Sequence, residues 1–122
     1  MTFTDLGIPP ALVDALAKET ITEPMPIQIA ALPELLVGKN AYLNSETGTG
    51  KTLAYLLPLF CRIDPALAEL QAMILAPTHE LAIQIQRVAT TLVQNSGLPI
   101  RTVLLIGGTA IPRQLEKLKN NH

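Results

Sequence analysis

The stretch that most constrains this chain is Ser45-Glu46-Thr47-Gly48-Thr49-Gly50-Lys51-Thr52, because glycines, a lysine and a hydroxyl residue in that order build a phosphate-binding loop. It follows a short apolar run, Ala41-Tyr42-Leu43, and leads into a segment of helical periodicity from Lys51 to about Arg62. Gly48 and Gly50 let the backbone curl so that successive N–H groups point at phosphate oxygens, and the helix that follows adds the positive end of its dipole. Lys51 supplies a point charge for the β and γ phosphates, and the Thr52 hydroxyl is a ligand for Mg²⁺. The generic pattern opens with glycine, and this chain has Ser45 there. The plain alternative is a flexible Gly-Thr turn with a surface lysine, which leaves the strand-loop-helix setting unexplained.

The rest of the chain alternates in the same way. Ala72–Ala76 precedes a helix expected from about Thr78 to Asn95, and Thr102–Ile106 precedes one from about Ile111 to Lys119. Apolar runs without in/out alternation read as strands buried on both faces. The pattern predicts an α/β fold, a parallel sheet with right-handed crossovers and helices on both faces. Upstream, Pro9-Pro10 sets up a helix over 10–18, and a second is expected from Pro26 to Val37, with Gly38 ending it in a left-handed cap. Pro33 falls inside that helix and predicts a bend or an early restart. Ligands of parallel sheets bind at the carboxyl ends of the strands, where Ser45–Thr52, Pro77–Glu80 and Gly107-Gly108 converge on one edge.

Composition bounds what such a site serves. With 122 residues, 48% of them hydrophobic, 16% charged and a mean hydropathy of +0.33, the chain has one modest core and is not a disordered tail. The densest apolar run, Leu53–Cys61, is far short of the roughly 20 residues of a membrane span, and nothing at the N-terminus reads as a secretory signal. Cys61 is the only cysteine, which favours a reducing, cytoplasmic setting. A net charge of −1 argues against nucleic-acid binding through a broad basic surface. Arg87, Arg101, Arg113, Lys117 and Lys119 do cluster late in the chain, where a solvated basic face is the plain reading. No Asn-Lys-x-Asp reads guanine, and the arginines are too scattered to close over phosphates as in small-molecule kinases.

Two flanking runs add chemistry. Pro24-Met25-Pro26-Ile27-Gln28 holds Gln28 at a helix start, where its amide has a donor and an acceptor for the edge of an adenine; a surface residue at a helix start is the competing reading. Pro77-Thr78-His79-Glu80-Leu81-Ala82-Ile83-Gln84 ends the second apolar run, with Thr78 as a natural N-cap and Glu80 suited to the first turn.

Together these segments resemble the DEAD-box ATP-dependent RNA helicases. Pro24–Gln28 matches that family's Q motif, Phe3 its isolated upstream aromatic, Ser45–Thr52 its motif I, Pro77–Gln84 its motif Ia and Gly107-Gly108 its GG motif. The resemblance implies a RecA-like P-loop fold in which residues 1–40 form a Q-motif helical region and 41–122 the first part of the ATP-binding domain, together one partial domain. It implies that Gln28 reads adenine with Phe3 helping to enclose the base, that Ser45–Thr52 hold the phosphates of ATP, and that Lys51 and Thr52 serve phosphoryl chemistry with Mg²⁺ on Thr52. It further implies that Pro77, Thr78, His79, Gly107 and Gly108 touch the backbone of single-stranded RNA, contacts that carry no sequence information and need no large basic surface.

Three departures stand out. Thr20-Ile21 occupies the place of the family's Gly-Phe step, so any base contact there is aliphatic. His79 replaces an arginine, which makes one RNA contact pH-sensitive near a histidine's reference pKa of about 6.5. The sequence reaches His122 without the Asp-Glu-Ala-Asp and Ser-Ala-Thr motifs or the second RecA-like domain, the partner that carries the arginine finger. Hydrolysis needs a carboxylate on the metal and nucleophile and a cation in the transition state, so these residues alone are expected to bind ATP without completing turnover. Asp64 with Pro65 reads as the turn ending the P-loop helix, not a substitute carboxylate. Two rival classes are a non-enzymatic module that binds RNA or a partner, and a metabolic P-loop enzyme indifferent to RNA. If the sheet is incomplete, the apolar faces of Leu43, Leu75 and Leu104 lack neighbours, and a marginal or self-associating chain is expected.

Overall fold

A computed structural model describes residues 1–46 and 50–107. Four helices carry it: α1 (Pro10–Lys18), α2 (Pro26–Leu36), α3 (Lys51–Arg62) and α4 (His79–Ser96).

Helix α1 begins where proline is best tolerated, with Pro9 extended at the N-cap and Pro10 in the first turn. Its end is a Schellman turn: the Thr20 N–H donates to the Ala17 carbonyl and the Ile21 N–H to that of Leu16, both at 2.9 Å. The left-handed position of this turn holds Thr20, at φ 60°, where glycine is the usual occupant. Helix α2 ends in the same motif with the usual residue. Gly38 sits at φ 87°, and its N–H and that of Lys39 reach the carbonyls of Leu35 and Glu34. The Arg62 guanidinium lies against Gly38, placing a cation at the negative end of the α2 dipole. The helix runs through Pro33 without interruption. Pro33 and Ile29, whose carbonyl loses its partner to the proline ring, are both exposed, so water satisfies what the helix does not.

Helix α3 starts from Gly50 in the left-handed region and buries Leu53, Ala54, Leu56, Leu57 and Phe60. Asp64 closes the turn after it as the sequence predicts, its carboxylate accepting from the Ala66 N–H at 3.0 Å. Helix α4 is capped by Thr78, whose hydroxyl accepts from the Leu81 N–H at 3.1 Å, and it stops at Gly97, φ 70°. Helix α2 packs on α3, and α1 on α4. The C-terminal ends of α1 and α4 are also tied by polar bonds, Lys18 Nζ to the Asn95 carbonyl and the Asn95 amide to Glu19. One core results, containing Phe3, Leu12, Leu16, Leu32, Leu57, Phe60, Leu92 and Ile100 from both ends of the described chain. Each such side chain, fully buried, contributes about 1.5–3 kcal/mol relative to exposure.

The predicted strands are the main difference. Residues 41–46, 71–76 and 101–106 form no strand ladder among the described residues. Segments 70–76 and 99–105 instead line one cavity of about 450 Å³ with α3 and α4. Side chains expected in a sheet interior face outward: Leu75 is 87% exposed, and Met73 and Leu105 are exposed too. Ladder bonds need a neighbouring strand in register, and apolar surface left in water gives no drive to hold one there. The helix expected from Ile111 to Lys119 lies outside the described residues. No described helix is long and apolar enough to cross a membrane.

Candidate nucleotide site and nucleic-acid edge

The site begins where α2 meets the start of α3. Gln28 is 1% exposed, which overturns the reading of a surface residue at a helix start. Its side-chain oxygen accepts from the Met25 N–H at 2.9 Å, closing the first turn of α2, and its amide nitrogen donates to the Gly50 carbonyl at 3.1 Å. That carbonyl also accepts the Ala54 N–H, the first bond of α3. Two observations require glycine at 50: φ is 85°, and a Cβ there would overlap the Gln28 amide nitrogen and stand 3.2 Å from Met25 Cγ.

Within the loop, Lys51 Nζ donates to the Ser45 carbonyl, so the lysine bridges the two ends of the turn that Thr47, Gly48 and Thr49 span in sequence. Those three residues lie outside the described part. Glu46 is exposed beside Ser45. Thr52 is half-buried in the first turn of α3, with Tyr55 one turn on. Burial pushes the Tyr55 phenol above its ordinary range, and the nearby Thr52 side chain offsets part of that. Among the described residues no cluster of His, Cys, Asp or Glu forms a metal cage. Mg²⁺ does not require one, because it is held by few protein groups with phosphates and water completing its shell. A single Thr hydroxyl next to the loop fits that chemistry.

Phe3 is 1% exposed within the core, and its carbonyl accepts from the Leu6 and Ile8 N–H groups, so the residue anchors the N-terminal turn. Ile21 is partly buried against the same core.

A second group gathers at the start of α4. Pro77, Thr78 and His79 are all exposed there. The imidazole lies over Gly107: a Cβ at that glycine would stand 3.4 Å from His79 Nε2 and 3.8 Å from Cε1. Two loops distant in sequence are therefore adjacent, and a Cβ at 107 would stand in ordinary van der Waals contact with the imidazole. Gly108 lies outside the described residues. Sequence reasoning missed the Lys51–Ser45 bridge and the place of Met25 beside Gly50.

The sequence profile of the DEAD/DEAH box helicases matches residues 25–122, and the chain belongs to that family. A relative in Rattus norvegicus, "Probable ATP-dependent RNA helicase DDX59", is 42% identical over 120 residues, covering 98% of this chain and 20% of the relative. The RNA helicase Prp28 from Chaetomium thermophilum, solved bound to ADP, superposes with a TM-score of 0.80 at 35% identity, over 95% of this chain and 29% of that one. Dbp5 of S. cerevisiae, solved bound to RNA and ADP BeF3, gives 0.74 at 28% identity over 98% of this chain and 34% of that one. The fold is therefore that of a RecA-like helicase domain, with the chain spanning about a fifth of the curated relative and about a third of the solved neighbours.

Proposed function

We propose that this chain supplies the ATP-binding and part of the RNA-binding surface of an ATP-dependent RNA helicase, which separates RNA strands locally by coupling ATP binding and hydrolysis to RNA binding. One observation carries the reading: Gln28, at the Q-motif position, is bonded directly to the last glycine of the phosphate loop. Its two bonds leave the amide one N–H and one lone pair, the complement an adenine edge needs. The nucleotide and RNA named with the neighbouring structures support the same assignment.

ATP and Mg²⁺ are the proposed cofactors, with Thr52 on the metal and Ser45–Thr52 around the phosphates. Bound ATP supplies the phosphoryl group whose hydrolysis drives the cycle. Toward it, Lys51 exchanges the neutral Ser45 carbonyl for an anionic oxygen, a charge-assisted bond worth about 1.5–3 kcal/mol. Gln28 ties base recognition to loop shape, since one of its two N–H groups is held by the Gly50 carbonyl. Pro77, Thr78, His79, Gly107 and Gly108 take the single-stranded RNA backbone, and a second RecA-like domain brings the cation that hydrolysis needs. A reducing, cytoplasmic setting belongs to the proposal and rests on the single Cys61.

The test is nucleotide titration of the chain and of Lys51→Ala. The variant is expected to bind ATP at least about tenfold more weakly. Unchanged affinity, or RNA-stimulated turnover by the chain that Lys51→Ala abolishes, contradicts the reading.

A further inference from the structure

We propose that Arg62 is a positioning residue for the nucleotide site, holding the far end of α2 on α3 so that Gln28 stays in register with Gly50; the inference rests on Gln28 as the base-reading amide. Helices α2 and α3 touch at both ends. At their starts the Gln28 amide, from α2, donates to the Gly50 carbonyl at 3.1 Å. At their ends the Arg62 guanidinium, from α3, lies over Gly38: a Cβ there would stand 2.7 Å from one terminal nitrogen and 3.4 Å from Cζ and the other. Each helix sends a planar group bearing N–H donors across to a left-handed glycine of the other, Gly50 at φ 85° and Gly38 at φ 87°. Start meets start and end meets end, so the two helices run side by side in one direction, with α2 continuous between the contacts. The neighbouring cation does not duplicate this role, because Lys39 pairs with Glu34 at 3.1 Å. Arg62 is the last residue of α3 and Lys51 the first, about 16 Å apart along the helix, so an effect of Arg62 on ligand passes through the register of α2 on α3. That register has little slack. A hydrogen bond at 3.1 Å is lost once its atoms part by about half an ångström, and a small slide or splay of α2 releases the Gln28 amide from Gly50.

A double-mutant cycle tests this: Mg·ATP and Mg·tripolyphosphate are titrated into the parent chain, Arg62→Ala, Gln28→Ala and the double variant. Arg62→Ala is expected to raise the ATP dissociation constant about three- to tenfold, to change that of tripolyphosphate by less than about twofold, and to add nothing in the Gln28→Ala background. Gly38→Asn reaches the same contact from the other side, since asparagine tolerates the left-handed region while its Cβ takes the place of the guanidinium. With Arg62 intact, this variant should weaken ATP to a similar extent. Arg62 and Gly38 are both exposed, so neither change opens the core, and urea midpoints taken alongside show that the variants are folded. An unchanged ATP constant in Arg62→Ala or Gly38→Asn overturns the inference, as does an equal loss for ATP and tripolyphosphate or full additivity with Gln28→Ala. Arg62 is then a helix-end charge and no more, while the role of Gln28 stands. If Gln28→Ala itself binds ATP as the parent does, the base reading fails and the role of Arg62 with it.

Discussion

The Gln28 amide nitrogen lies 3.1 Å from the Gly50 carbonyl, so the first turn of α2 and the first turn of the P-loop helix share one hydrogen-bond acceptor. Gly50 is left-handed and leaves no room for a Cβ beside that amide, which makes the bond possible only with glycine at this place. A group that is satisfied inside the protein before ligand arrives is a group whose recruitment by a ligand alters the protein. This gives the pair a role beyond packing.

Thr20 occupies the left-handed position of the Schellman turn that ends α1. A β-branched residue there costs about 1–2 kcal/mol, partly offset in a glycine variant by roughly 0.5–1 kcal/mol of extra unfolded-state entropy. Thr20→Gly should therefore stabilise the chain by about 0.5–1 kcal/mol, read as a higher urea midpoint with an unchanged slope. A lower midpoint would show that the Thr20 hydroxyl, which donates to the Glu19 carbonyl at 2.6 Å, outweighs the backbone strain.

Tyr55 gives a pH dependence of definite sign. Its phenol is raised by burial, with the nearby Thr52 side chain opposing, so the folded state holds the proton more tightly than the unfolded one. Its stabilising contribution is complete below the unfolded value near 10 and is lost as pH rises through the folded one. Denaturation midpoints from pH 8 to 11 should fall at the alkaline end, and Tyr55→Phe should flatten that fall. An equal decline in the variant assigns the effect to other groups.

His79 is exposed over Gly107, where the family carries a permanently charged arginine. RNA phosphates taken there meet a side chain without the permanent charge and five-donor fork of arginine. Glu80, next in sequence at the same helix start, opposes the phosphates. His79→Arg is expected to tighten single-stranded RNA binding several-fold. Fluorescence anisotropy at fixed salt and pH measures this, and a variant indistinguishable from the parent removes His79 from the RNA surface.

The parts of the fold that the sequence announced are those set by local chemistry. Thr78 caps α4, Gly38 stops α2, and Asp64 turns the chain, because each acts on backbone groups within a few residues. The strands needed neighbours, so apolar runs at 72–76 and 102–106 were identifiable as interior material yet form no ladder among the described residues. Burial was the other blind spot. Gln28 and Phe3 carry opposite sequence cues, polar at a helix start and aromatic near a terminus, and both end 1% exposed because α1, α2 and α3 close over them together. The loop and its lysine were legible, whereas the Lys51 bridge to Ser45 depends on a turn whose closure spacing does not encode.

Competition binding of ATP and GTP to the chain and to Gln28→Ala decides whether Gln28 reads the base. The parent is expected to prefer ATP, the variant to lose this preference, and tripolyphosphate affinity to change far less than ATP affinity. If GTP competes as well as ATP in the parent, or Gln28→Ala retains full selectivity, Gln28 does not read the base.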